Sequence, residues 1–140
     1  MIPVCPRCDT QLFVLDFESI ELDFCHGCRG VWLDDGELET IAVLAGASAD
    51  DPLLSVRDQA GTMAAGRKFL CPRCDSAMPQ VVFQVSPEAA VTVERCPRGH
   101  GLWFEQGELR ELLNSLATGG KAASTTARLN EVFFVTKNKD

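Results

Sequence analysis

Seven cysteines occur at spacings that are typical of metal ligands. Six form three Cys-x-x-Cys pairs, and the seventh precedes a histidine in the segment CPRGH. We call each of these four turns a knuckle. A two-residue spacing lets one tight turn direct two sulfurs at one ion, and four such donors satisfy tetrahedral zinc. The predicted ligands are Cys5, Cys8, Cys25 and Cys28 for site 1, and Cys71, Cys74, Cys96 and His100 for site 2.

The fourth ligand of site 2 departs from the pattern of site 1. When the two halves of the chain are aligned, Cys28 stands opposite Gly99, which cannot bind a metal, and His100 follows one position later. The Cys-x-x-x-His spacing from Cys96 is within reach of one ion, and three cysteines with one histidine form a normal closed zinc site. The alternative is a three-cysteine remnant beside a solvated histidine. His26 is expected to be a loop residue, because site 1 already has four ligands.

Other uses of the cysteines are less favoured. An odd number does not fit a fully paired disulfide framework, and a reducing cytosol disfavours disulfides. Iron in a rubredoxin-like site is the main rival to zinc at site 1, but a site of three cysteines and one histidine favours zinc. A thiol redox enzyme needs a Cys-x-x-Cys motif that opens a helix, whereas both CPRC motifs precede strand-like segments. We therefore predict two structural zinc ions per chain and no enzyme activity.

Two β-hairpins are predicted to bring the knuckles together. Apolar residues alternate over residues 13–17 and again over 20–24, which predicts a hairpin with its turn at residues 18–19. Residues 81–93 repeat the pattern around a turn at residues 86–87. Because an isolated hairpin is marginally stable in water, each must be held by something else, and the metal is the candidate.

A short helix is predicted after each hairpin. Asp34 and Asp35 followed by Glu37 resemble a capping box. Apolar residues at helical spacing then continue towards Gly46. The second half repeats the pattern from Glu105, with a weaker cap.

Each half also contains a Gly-x-Trp segment between its second knuckle and its helix. Trp32 and Trp103 are expected to pack over their own hairpins, since tryptophan is highly buried on average. An exposed tryptophan could instead anchor a partner. Burial therefore distinguishes the two interpretations.

These elements predict a small metal-stapled α+β fold. It has two zinc-ribbon units, each a β-hairpin with two knuckles followed by a short helix. The predicted organisation is zinc ribbon 1 at 1–46, a linker with one helical turn at 47–69, zinc ribbon 2 at 70–118, and a tail at 119–140 with a possible strand at 131–135. Units of about 45 residues have little core of their own, whereas structural zinc contributes roughly 10–16 kcal/mol of apparent binding free energy.

Charge narrows the choice of partner. The net charge is −7, and residues 1–46 carry nine acidic and two basic side chains. We therefore expect a protein partner, since nucleic-acid binding depends on positive charge. Arg73, Arg95 and Arg98 leave phosphate contact through ribbon 2 as an alternative, although screening of the thiolates is favoured. The N-terminus lacks a signal-peptide pattern and no apolar run approaches about 18 residues, so we expect a cytoplasmic protein that does not contact membranes.

The order of CPRC, sixteen residues and CHGCRGVWLDDGELE closely resembles the zf-TFIIB family, zinc ribbons named for their likeness to that of transcription factor IIB. The resemblance covers residues 5 to about 45 and 71 to about 116. It implies a zinc-bound hairpin followed by a short helix, with zinc on all seven cysteines. Gly99 interrupts the family pattern, so His100 is predicted from spacing alone. A protein-binding module is favoured over a nucleic-acid or RNA-polymerase-associated transcription regulator, and over a thiol redox or metal-handling protein.

Overall fold

A computed structural model describes residues 3–63, 65, 66 and 68–116, with residues 56–58 described by their backbone only. In chain order the elements are β1 (Phe13–Phe17), β2 (Ile20–Phe24), β3 (Val31–Asp34), α1 (Glu37–Leu44), a 3-10 helix (Pro52–Asp58), β4 (Gln80–Ser86), β5 (Ala89–Arg95), β6 (Gly101–Phe104) and α2 (Glu108–Asn114). The 3-10 helix lies where a helical turn was predicted in the linker. The possible strand at 131–135 lies outside the described residues. Within those ranges, neither α-helix has the length and apolar character needed to cross a membrane.

The first hairpin has the predicted register. Leu15 lies opposite Leu22, so the alternating apolar residues of β1 and β2 share one face of the sheet. Glu18 and Ser19 form the turn with φ values of 51° and 69°. Two consecutive positive φ angles match the twist of the flanking strands. Alternation and turn position therefore predicted this element correctly.

The second hairpin turns one residue later than predicted. Ser86 is still paired, with Ala89 as its partner, which leaves Pro87 and Glu88 as the turn. The pairing register shifts between Gln84 and Ser86, as at a β-bulge. Such a bulge absorbs one unpaired residue, and this explains why alternation alone misplaced the turn.

The two units share one six-stranded sheet in the order β1-β2-β3-β6-β5-β4. The join is an antiparallel pairing of β3 with β6, in which Trp32 lies opposite Trp103. Neither strand was predicted from the sequence. The pairing relates the two copies by an approximate twofold axis between the tryptophans. Each unit contributes three strands, and together they form one continuous sheet.

The two faces of the sheet carry different cores. One face packs against the helices, with Val31 and Leu33 of β3 in the same buried cluster as Leu38 of α1. The other face carries Trp32 and Trp103 in a cluster with the seven cysteines. Because side chains alternate along a strand, the first three residues of β3 supply both cores.

The helix starts differ from the predicted capping box. The N-cap of α1 is Gly36, with φ of 91° and no side-chain hydrogen bond, and Gly107 (φ 87°) has the same role in α2. The acidic N-cap prediction was therefore wrong. The Asp34 side chain does not cap the helix. The Glu37 side chain does reach back, however, and accepts a hydrogen bond from the Asp34 N–H at 2.8 Å. Only this half of the box is formed.

Candidate metal centres

Site 1 has the dimensions of a tetrahedral zinc site. The sulfurs of Cys5, Cys8, Cys25 and Cys28 all lie within 4.8 Å of one another, and the Sγ atoms of Cys5 and Cys28 are 3.7 Å apart. With zinc–sulfur bonds of about 2.3 Å, a regular tetrahedron has sulfur–sulfur edges of about 3.8 Å. One knuckle precedes β1 and the other joins β2 to β3, so the hairpin brings the two knuckles together.

Site 2 has matching dimensions with a mixed set of donors. The Sγ atoms of Cys74 and Cys96 are 3.6 Å apart, and Nδ1 of His100 lies 3.4 Å from Sγ of Cys96. A zinc–nitrogen bond of about 2.0–2.1 Å gives a sulfur–nitrogen edge of about 3.6 Å. The fourth donor, Cys71, lies within 4.8 Å of the others. The structure thus brings together all four residues predicted for this site.

The backbone of the fourth knuckle explains why its last donor is displaced. In the other three knuckles, the residue after the second cysteine has positive φ and its N–H donates to the carbonyl of the first cysteine; these residues are Asp9, Arg29 and Asp75. In the fourth, Gly99 (φ 83°) makes this hydrogen bond one position earlier, to the carbonyl of Cys96 at 3.0 Å. The turn therefore ends sooner, and the next residue, His100, reaches the cluster.

Backbone amides support the sulfurs. The N–H groups of Arg7 and Cys8 donate to Sγ of Cys5 at 3.3 and 3.2 Å, and the N–H of Arg73 donates to Sγ of Cys71 at 3.3 Å. Such bonds favour the thiolate form. Each knuckle is therefore suited to hold negatively charged sulfur.

Hydrogen bonds lower the pKa of the Cys74 thiol to about 6, whereas burial opposes ionisation of the Cys5 and Cys71 thiols. It raises the pKa of Cys5 far above the ordinary value for a thiol, and that of Cys71 to about 12. Zinc binds the thiolate and not the thiol. A cation between the sulfurs would offset the cost of their charge, so the chemistry of both clusters fits zinc.

His26 lies outside both clusters, as predicted. It is exposed and stands edge-on to Phe13, with the ring centroids 4.6 Å apart, and to Phe24 at 5.4 Å. Its position between two cysteines therefore reflects the loop in which it lies.

An arginine of ribbon 2 reaches into ribbon 1. Arg73, between Cys71 and Cys74, binds Asp34 through Nε and Nη2, both at 2.8 Å, and its Nη2 is 2.6 Å from Oδ2 of Asp23. Burial acts to raise the pKa of Asp34, but the hydrogen bonds from Arg73 and others lower it overall. Arg73 thus neutralises carboxylates of the other unit, a role that the sequence did not reveal.

The equivalent contact, from an arginine of ribbon 1 to ribbon 2, is weaker. Arg7 is the counterpart of Arg73, and its Nη1 lies 2.9 Å from Oε1 of Glu105, but its side chain is 54% exposed. Glu94, the counterpart of Asp23, accepts a hydrogen bond from the neutral side chain of Gln80 at 3.0 Å. Oε1 of Glu94 and Nε1 of Trp103 are buried with no hydrogen-bond partner among the described residues. The approximate symmetry of the backbone does not extend to these polar groups.

Both tryptophans are fully buried, and each packs against the other unit. Trp32 contacts Gly101 of ribbon 2 and Trp103 contacts Gly30 of ribbon 1. The prediction placed each tryptophan over its own hairpin and did not anticipate this contact with the other unit. The repeated Gly-x-Trp segment could have indicated this contact. The sequence does not show, however, whether each indole ring packs against the glycine of its own copy or of the other.

Comparison with known proteins identifies one family. A model of the transcription factor zinc-finger family, the zinc ribbon of the TFIIB type, matches residues 4–43 and 70–115. Searches of curated proteins and of solved structures each found no match. The two matched segments contain the two clusters of metal donors.

Proposed function

The chain belongs to the transcription factor zinc-finger family and has two zinc sites, and we propose that it is a non-enzymatic module whose zinc ions are structural and whose surface binds another protein. The proposed ligands are Cys5, Cys8, Cys25 and Cys28 for one ion, and Cys71, Cys74, Cys96 and His100 for the other. The observation that carries the proposal is that each cluster supplies four protein donors. Catalytic zinc sites keep a position open, whereas structural sites are closed.

The position of the clusters supports a structural role. Cys5, Cys25, Cys71 and Cys96 are each no more than 1% exposed and belong to the same buried cluster as the two tryptophans. A cleft of about 280 Å³ beside α1 is lined by residues such as Asp35, Glu39 and Arg95, and by none of the proposed ligands. Gly99 and Gly101, which flank His100, also line it, so the cleft borders site 2 without including a proposed ligand.

The arginines offer limited support for nucleic-acid binding. Arg73 is engaged by Asp23 and Asp34, and Arg95 donates a hydrogen bond to the carbonyl of Gln59. Of the three arginines that the nucleic-acid alternative needs, this leaves Arg98, which is exposed. With a net charge of −7, the surface favours a protein partner.

Two exposed apolar residues mark a candidate contact surface. Val4 and Leu70 each precede a CPRC knuckle and are 41% and 45% exposed. Contiguous exposed apolar surface marks protein contact sites, and we place the contact surface where these two side chains lie beside the metal clusters. Their equivalent positions in the two copies place one beside each zinc cluster.

The proposal is tested by metal analysis followed by affinity capture. Protein purified without added metal should contain two zinc ions per chain. The tagged full chain should then capture a specific protein from its native host, and the double variant Val4→Ser/Leu70→Ser should lose that protein while keeping both ions. Val82→Ser is the matched control, because Val82 is 70% exposed but lies on β4.

Three outcomes would contradict the proposal. One is a captured protein that the double variant and the control retain equally. Another is salt-sensitive binding of a nucleic acid that Arg98→Ala weakens, with no protein captured, which would favour the transcription regulator. Hydrolysis or thiol exchange with turnover would contradict the non-enzymatic role.

A further inference from the structure

We propose that Arg73 couples the two zinc sites, so that an ion at site 2 strengthens the binding of an ion at site 1. The inference rests on the ligand assignment proposed above. It goes beyond that assignment because it gives a role to the side chain of Arg73, which is not a proposed ligand of either ion.

The first step is the fixed origin of the Arg73 side chain. Its N–H donates to Sγ of Cys71, and it stands between two proposed ligands of site 2, Cys71 and Cys74. An ion that binds both sulfurs fixes the turn, and with it the direction in which the guanidinium extends. Without the ion, the turn keeps hydrogen bonds such as that from the Asp75 N–H to the carbonyl of Cys71, but it loses the link that the metal makes between the two sulfurs.

The second step is the cost of losing the guanidinium in ribbon 1. Asp23 is 4% exposed, and Arg73 contacts both Asp23 and Asp34. Asp23 is the buried member of this group, whereas the side chains of Arg73 and Asp34 are 31% and 38% exposed. Removing Arg73 is destabilising because it leaves the Asp23 carboxylate buried without its cation. Ribbon 1 therefore depends on a side chain that is positioned by site 2.

The third step connects these carboxylates to site 1. Asp23 lies on β2 two residues before Cys25, and it pairs across the sheet with Trp32. Trp32 in turn donates from Nε1 to Asp34 at 2.8 Å. The strand that delivers Cys25 is thus part of the structure that Arg73 stabilises. Because coupling between binding sites is reciprocal, an ion at site 1 must strengthen site 2 by the same factor.

The chain supplies its own matched control. Arg7 occupies the equivalent place in the first CPRC knuckle, and its side chain is 54% exposed where it meets Glu105. Exposed ion pairs contribute little. Replacing Arg7 should therefore remove a similar side chain from a similar turn without uncoupling the sites.

The test is a zinc titration of the full chain without metal, followed by native mass spectrometry that counts chains with no, one or two ions. In the wild type, and in Arg7→Met, the one-ion species should stay minor throughout. In Arg73→Met the square of the one-ion population, divided by the product of the no-ion and two-ion populations, should be at least about fivefold larger than in the wild type, the lower end of typical coupling. Equal one-ion fractions in Arg73→Met and Arg7→Met would overturn the proposal.

A second variant covers failure of Arg73→Met to fold. Asp23→Asn/Arg73→Met removes the buried charge together with its partner, and should bind two ions in independent steps. If this double variant remained as cooperative as the wild type, Arg73 would not be the coupling residue. A wild type that binds two ions independently would overturn the coupling alone, whereas one that binds a single ion would overturn the ligand assignment as well.

Discussion

The indole of Trp103 occupies the space in which a side chain at Gly30 would stand: a Cβ atom there would lie 2.2 Å from Cζ2 of Trp103. In the other direction, a Cβ atom on Gly101 would lie 2.7 Å from Cζ2 of Trp32. The glycine of each Gly-x-Trp segment thus admits the tryptophan of the other copy. The motif serves the junction between the ribbons and not the ribbon in which it occurs.

Gly30→Ala should therefore destabilise the zinc-loaded protein. Forcing a methyl group into this contact is expected to lower the free energy of unfolding by about 1–3 kcal/mol, as measured by chemical denaturation. Gly27→Ala is the control, because its Cβ would meet only Cys8 and Cys25 sulfurs at 3.5 and 3.6 Å. Equal stability of the two variants would contradict the packing described here.

Removal of zinc should unfold the protein. Each ribbon is small, and the clusters lie within a buried core, so binding free energy becomes folding free energy. Trp32 and Trp103 are the two tryptophans of the chain and both are 0% exposed. A chelator should shift their fluorescence to longer wavelength, and added zinc should reverse the shift. Unchanged emission after complete metal removal would show that the fold does not need the ions.

Replacing His100 should remove one ion. The Nδ1 atom of His100 lies 3.4 Å from Sγ of Cys96 and is the proposed fourth donor of site 2, so His100→Ala should retain one tightly bound zinc per chain after dialysis against a chelator. His26→Ala should retain two, because His26 packs on phenylalanines and not on a cluster. Metal content of the two variants gives a direct comparison. Two tightly bound ions in His100→Ala would show that the histidine does not ligate.

Site 2 should exchange its metal faster than site 1. His100 is exposed, whereas its counterpart at site 1, Cys28, is partly buried, so a chelator can approach site 2 more readily. Cadmium substituted at both sites gives separate nuclear magnetic resonance signals for four-sulfur and three-sulfur coordination. On addition of a chelator the three-sulfur signal should disappear first. Loss of both signals at one rate, or of the four-sulfur signal first, would contradict this order.

Glu37 should make stability depend on pH. Burial raises the pKa of Glu37 from 4.5 to about 7. Between these values the folded protein holds a proton that the unfolded chain has released, so this group's contribution to stability falls as pH rises. Glu37→Gln removes that contribution and can still accept the hydrogen bond from Asp34.

The measurement is the difference in unfolding free energy between Glu37→Gln and the wild type, from about pH 6 to about pH 8. Subtraction cancels the pH dependence of zinc binding, which both proteins share. The difference should rise in favour of the variant up to about pH 7 and then level off. A difference that does not change with pH would contradict the raised pKa.

Local features of the sequence predicted the hairpins and the donor sets well. Alternation gave the pairing of Leu15 with Leu22, and knuckle spacing gave the two groups of four donors. Both signals act over a few residues, or across one short hairpin. The position of His100 in the second cluster could be predicted for the same reason, although the early turn at Gly99 that causes the shift could not.

Contacts between the copies could not be predicted in this way. Strands β3 and β6 have four residues each and are buried on both faces, so they show no alternation. Asp34 was interpreted as a helix cap because its local neighbours suit that role, but Arg73, 39 residues away, supplies a stronger partner. These features depend on pairing between distant segments, which local propensity does not specify.

The antiparallel seam between β3 and β6 also bears on the origin of the chain. Because each half presents the same strand, glycine and tryptophan to the other, the seam has the form of an isologous interface, the kind that two identical subunits make. A lone ribbon would carry both sides of that interface and could associate with itself. Joining two copies in one polypeptide makes the association intramolecular and independent of protein concentration. Because the two halves are joined in one chain they can differ in sequence, and Cys28 in one half opposite Gly99 and His100 in the other is a difference that a symmetric homodimer could not have.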